Sequence, residues 1–178
     1  NCNHSKMSPD VLSSLTFRRR FVDLSEQEIL ALAISSEEDD ARIYRSFAER
    51  LRADFPASAL IFDGMAVEED GHRQQLIDLH RARFGDVIPL IRREHVAGFY
   101  ARRPIWLAKS LSLETIRAEA AAMEHGAEDF YRRAAARTSD AATRKLLGDL
   151  AAAEAGHERH AQGLEEMHLS PDAREAED

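Results

Sequence analysis

Cysteine is all but missing from this chain of 178 residues, with Cys2 the only one. That excludes an internal disulfide framework, a cysteine-ligated iron centre and a Cys-x-x-Cys redox pair. Glycine and proline are also scarce, at 8 and 5, so long stretches run free of the residues that break helices. No apolar run reaches about 18 residues, the length at which a membrane-spanning helix becomes a candidate. Positive charge is outnumbered: 24 Lys and Arg face 32 Asp and Glu, a formal net charge of −8. Such a chain is a poor nucleic-acid binder by default, and it draws cations toward itself. No secretory leader is visible, so the cytoplasm is the default compartment, and Asn1 to Lys6 reads as an added segment ahead of a natural start at Met7.

What is present favours helix. Ala, Leu, Glu and Arg dominate the composition. Ser25-Glu26-Gln27-Glu28 is a capping box, with a Ser N-cap and Glu three residues on. An apolar-periodic segment follows it, and Pro56 suits the start of a second helix. Gly85 and Pro89 end that second segment. Thr138-Ser139-Asp140 offers a short turn with N-cap chemistry. The spacing predicts four helices, over about 25–52, 57–83, 113–137 and 140–168. Residues 84–112 form a long connection, with a short helix near 89–101 and an extended piece at Pro104 to Leu107. Residues 172–178 form a polar tail. The prediction is one all-α domain over residues 7–171. It is a four-helix bundle with one long crossover holding a short extra helix, which is the ferritin-like arrangement.

Two parts of the chain repeat each other. Glu37 is followed by Tyr44 seven residues on, then by Glu69-Asp70-Gly71-His72. Glu124 is followed by Tyr131 seven residues on, then by Glu154-Ala155-Gly156-His157. The Glu-to-Glu spacing is 32 residues in the first copy and 30 in the second. Seven residues advance almost two helical turns, and three residues almost one, so each motif presents its polar groups on one face. One Glu from each of two helices, with Glu-x-x-His from each of two others, is the ligand set of di-iron bundles. Four carboxylates with two neutral imidazoles balance two divalent cations, which avoids an unpaired buried charge. Iron(II) accepts both donor types, and manganese or zinc could substitute.

Aligning the two copies selects one Glu from each acidic run. Glu38 falls opposite His125 and Glu68 opposite Ala153, whereas Glu37 and Glu69 fall opposite Glu124 and Glu154. The candidate ligands are therefore Glu37, Glu69, His72, Glu124, Glu154 and His157. Tyr44 and Tyr131 are candidates to hydrogen-bond ligand carboxylates, with plain core packing as the equal alternative. Glu38, Glu68, Glu128, Glu158 and His160 are auxiliary candidates. His160 reads as a surface residue, with an added ligand as the alternative; the glutamates read as solvated rather than ligating, and together they offer an acidic entry path for cations. The Arg92-Arg93 and Arg102-Arg103 pairs read as solvated surface, with lipid headgroups as the alternative.

The segments Ala33 to Tyr44 and Ala122 to Tyr131, with the two Glu-x-x-His motifs, resemble the rubrerythrin branch of the ferritin-like superfamily over residues 25–168. The connection Arg92 to Tyr100, followed by Arg103-Pro104-Ile105-Trp106-Leu107, resembles the soluble domain of the bacterial membrane-bound ferritins. That resemblance implies a homodimeric, iron-binding domain on the cytoplasmic face of the bacterial inner membrane. It implies a C-terminal membrane iron transporter beyond residue 178, and a role in iron export and peroxide resistance. Two departures stand out. The four cysteines of a rubredoxin module are missing. Ala127 stands where rubrerythrins carry an extra Glu, with Glu128 one residue later. Electrons must then come from the ferrous ions themselves. The expected function is oxidation of ferrous iron with peroxide or oxygen. The alternatives are a non-catalytic iron sensor that regulates the transporter, and a ferritin-type storage cage.

Overall fold

The structure is a computed structural model that describes residues 18–97 and 111–169, with side chains described as far as residue 157. Four long helices carry the described residues: α1 (Glu26–Leu51), α2 (Pro56–Phe84), α3 (Leu113–Arg137) and α4 (Ala141–Leu169). Each start has a local cause. Ser25 Oγ accepts the Glu28 N–H at 3.2 Å while the Ser25 N–H donates to Glu28 Oε2 at 2.8 Å, so both halves of the capping box form. Pro56 opens α2, where its missing N–H costs nothing. Ser112 Oγ caps α3 by accepting from the Thr115 N–H at 3.1 Å. Asp140 Oδ2 accepts from both the N–H and the hydroxyl of Thr143 at 2.8 Å, beginning α4. α2 stops at Gly85, whose φ of +86° suits a residue without Cβ. His80, fully buried, donates from Nδ1 to the Gly85 carbonyl at 3.1 Å and closes that end.

α1 packs along α2, and α3 along α4, as two antiparallel hairpins. Contacts of α1 with α3 and of α2 with α4 join the hairpins. The buried apolar residues fall into two clusters. One contains Leu30, Leu32, Leu76, Phe130, Leu147 and Leu150. The other contains Tyr44, Phe47, Phe62, Met65, Ile116 and Met123. Between them, at mid-length of all four helices, lies a layer of buried polar residues.

The crossover departs from expectation. Instead of a helix near 89–101, the described part holds a single 3-10 turn, Arg93–His95, and a two-residue strand, β2 (Val96–Ala97). β2 pairs in parallel with β1 (Arg19–Arg20), Arg19 opposite Val96. The Ile91 carbonyl accepts from Ser35 Oγ at 2.5 Å. Backbone groups that a helix would satisfy internally are thus engaged by α1 and β1, and Pro89 offers no N–H at all.

Arg93 is not solvated surface either. It is buried and bonded to the Ser36 carbonyl at 2.7 Å and to Asp40, also buried, at 2.8 Å. Arg92 reaches Asp39 at 3.3 Å. The Arg102-Arg103 pair, the extended piece at 104–107, the N-terminal segment 1–6 and the tail at 172–178 lie outside the described residues. Among the described residues no helix is long and apolar enough to cross a membrane.

Candidate metal centre

α1 brings Glu37 to the buried layer, α2 brings Glu69 and His72, α3 brings Glu124, and α4 brings Glu154 and His157. All six side chains converge. They form two overlapping groups, Glu37-Glu69-His72-Glu154 and Glu69-Glu124-Glu154-His157, whose ligand atoms lie within 4.8 Å of one another. Glu69 and Glu154 belong to both groups. They are the carboxylates common to both groups, a distinction the spacing alone left open. Each group then adds one further carboxylate and one imidazole of its own.

The imidazoles approach alike. His72 Nδ1 lies 3.2 Å from Glu154, 3.6 Å from Glu69 and 3.8 Å from Glu37. His157 Nδ1 lies 3.2 Å from Glu124 and 3.9 Å from both Glu69 and Glu154. The rings are near-parallel, with centroids 6.0 Å apart.

The tyrosines cross over. Tyr131 on α3 donates its hydroxyl to Glu37 Oε1 on α1, and Tyr44 on α1 donates to Glu124 Oε1 on α3. Each helix thus supplies a carboxylate to the centre and steadies the carboxylate of the other helix. With Oε1 so held, Glu37 Oε2 and Glu124 Oε2 are the oxygens turned toward the imidazoles. Burial, and then the neighbouring carboxylates, push both phenols well above their usual range, so they remain donors.

None of the four glutamates is more than 3% exposed. Four ionised carboxylates cannot share so small a dry volume, so protons stay on in the absence of metal. Burial raises Glu69 well above the carboxylate range, with Glu37, Glu154 and Glu124 adding to it. Burial raises Glu154 likewise, partly offset by the His72 ring 3.2 Å away. Burial alone would lower the histidines. The carboxylates of Glu154 and Glu37 beside His72 overcome it and raise that ring to about 10, and Glu124 does the same at His157, raised to about 9.

The residues fit a metal site. Glu37 Oε2, Glu69 Oε1, His72 Nδ1 and Glu154 Oε1 are buried and make no well-formed hydrogen bond, although His72 Nδ1 comes within 3.2 Å of Glu154 Oε1. Orphaned polar atoms are costly wherever they occur, and here four of them face one another. Oxygen and imidazole donors together suit iron(II) and manganese(II), and zinc as well.

The auxiliary candidates divide. Glu38 is tied to Arg42, and Glu128 to Arg132 at 2.5 Å, each in an i,i+4 pair beside the site. Glu68, read from sequence as solvated, is indeed exposed and at the same time meets His157 Nε2. The side chains of Glu158 and His160 lie outside the described residues. Sequence reasoning missed the Asp40–Arg93 pair. Asp40 stands one turn after Glu37, on its face, and that spacing was the available signal.

A helical bundle with a buried, duplicated carboxylate–histidine layer at mid-length is the architecture of the bundle metalloproteins. The chain belongs to the rubrerythrin family, whose family model matches residues 28–165. A hypothetical protein of known structure from Pyrococcus furiosus is similar at 25% sequence identity, over 84% of this chain and 93% of that one, with a TM-score of 0.68. Among curated proteins none matches.

Proposed function

We propose that the centre takes two ferrous ions as substrate and oxidises them with peroxide or oxygen. The observation that carries this reading is the pair of overlapping four-residue groups sharing Glu69 and Glu154. Two ferrous ions held side by side give up one electron each, and with two protons these reduce one hydrogen peroxide to two waters, or one dioxygen to hydrogen peroxide. The chain's own part is to bind and orient. Glu69 and Glu154 span the two positions. Glu37 with His72 serves one of them, and Glu124 with His157 the other. Tyr131 and Tyr44 hold the outer carboxylates by one oxygen each. The apolar clusters on both sides keep bulk water out.

The resemblance of residues 92–107 to membrane-bound ferritins supports a wider role. In it the domain is a homodimer at the cytoplasmic face of a membrane, oxidising iron for a linked transporter during peroxide stress. No nucleic acid enters this reading.

The test is an anaerobic titration with ferrous iron followed by stoichiometric peroxide, read as near-ultraviolet ferric absorbance. The expected result is saturation at two iron ions per chain, with Glu69→Ala losing iron binding and oxidation together. Saturation at one ion, or undiminished oxidation by Glu69→Ala, would sink the proposal.

A further inference from the structure

The two halves of the centre differ outside the ligand set. His157 turns Nδ1 toward Glu124, Glu69 and Glu154, while its other nitrogen, Nε2, meets the carboxylate of Glu68. Glu68 stands on α2 one residue before Glu69 and reaches across to α4. His72 turns Nδ1 to the same cluster, yet among the described residues no carboxylate meets its Nε2. The internal repeat gives the reason. The position matching Glu68 in the second hairpin is Ala153, which has no acceptor to offer.

A neutral imidazole keeps one proton, and only its other nitrogen can hold a metal. A carboxylate at Nε2 keeps the proton there, frees the Nδ1 lone pair for the cation, and makes it a better donor. We propose that Glu68 is a positioning residue: it fixes His157 as the Nε2–H tautomer and makes the Glu124–His157 position the tighter of the two. Divalent cations therefore fill the centre in order, the His157 side first. His72 lacks that partner and must settle its tautomer as it loads. This inference rests on the metal-centre reading above and adds to it an order of filling.

Zinc titrated into the metal-free chain, followed by nitrogen-15 NMR of the histidine rings, tests it. At one equivalent the His157 ring should show metal at Nδ1 and a proton at Nε2, with metal reaching His72 only at the second equivalent. Calorimetry should resolve two steps. Glu68→Ala should weaken the tighter step by about tenfold and abolish the order, since loss of such an outer partner typically costs 10- to 100-fold in metal affinity. Its side chain is 57% exposed, so the fold should survive its removal. Ala153→Glu should strengthen the weaker step, because it gives His72 the missing acceptor. An equal response of both histidines to the first equivalent, or unaltered steps in Glu68→Ala, overturns the order of filling while leaving the metal centre standing. Zinc bound by neither histidine overturns the metal centre, and the order with it.

Discussion

Loading the centre should expel protons, and the number follows from the groups that hold them. His72 and His157, raised to about 10 and about 9, are both charged at pH 7. Each must give up the Nδ1 proton before that atom can hold a cation, which makes about two protons. Glu69 and Glu154 are raised well above the carboxylate range, by burial first, and contribute up to about two more. Two zinc ions should therefore displace about two to four protons at pH 7, and the overall binding constant should climb by the same number of decades per pH unit.

The metal-free protein moves the opposite way. All four groups have folded-state values above their ordinary ones of 6.5 and 4.5. Their stabilising contribution is complete below those ordinary values and is lost as pH rises through the folded ones. The histidine part should disappear between about pH 6.5 and 10. The Tm gap between zinc-loaded and metal-free protein should accordingly widen from pH 6 to pH 9. Calorimetry at pH 7 in buffers of different ionisation enthalpy counts the protons, and thermal melts across the pH range measure the gap. Release of less than about one proton, or a gap that narrows as pH rises, would refute the reasoning.

Three further outcomes are expected. Tyr131→Phe strips Glu37 of a buried donor and should cost the zinc-loaded protein about 1–3 kcal/mol in urea denaturation, with Tyr44→Phe costing a similar amount because its bond to Glu124 is the mirror of the first. Arg93→Met leaves Asp40 buried without its guanidinium and should cost about 3–5 kcal/mol, most of it recovered when Asp40→Leu is added, as chemical denaturation will show. Glu26 is held at about 2, chiefly by the Ser139 N–H and also by Arg83, so it stabilises above pH 4.5 and ceases to as pH falls toward 2; Glu26→Gln should melt earlier at pH 5 and lose less than the parent between pH 4.5 and 2.

The parts of this molecule legible in its sequence are those that a repeat or a cap writes locally. Ser25 and Asp140 announce helix starts because their side chains bond backbone only a few residues away. The six polar residues of the buried layer are legible because the chain states the pattern twice. What stayed hidden depends on which helix faces which. Glu37 and Tyr44 share a face of α1, but neither serves the other, because each bond runs to the opposite hairpin. Glu68 follows the same logic. Consecutive helical residues point about 100° apart, so a neighbour of Glu69 should leave the centre, and it does, only to meet His157 on the adjoining helix. Arg93 was illegible because a charged residue in a connection reads as solvated unless its buried partner is known.

The crossed tyrosines have a consequence for how the two hairpins stay together. Each hairpin grips the other's outer glutamate, and a cation pair held by Glu69 and Glu154 would rivet one hairpin to the other at the waist of the bundle. Chelation then removes the rivet and leaves the clasp. The hairpins would part more often, and the helix turns that lose packing there would open more readily, so amide protons along the α1–α3 seam should exchange faster than those buried within either hairpin. In that sense the metal would set the lifetime of an internal joint.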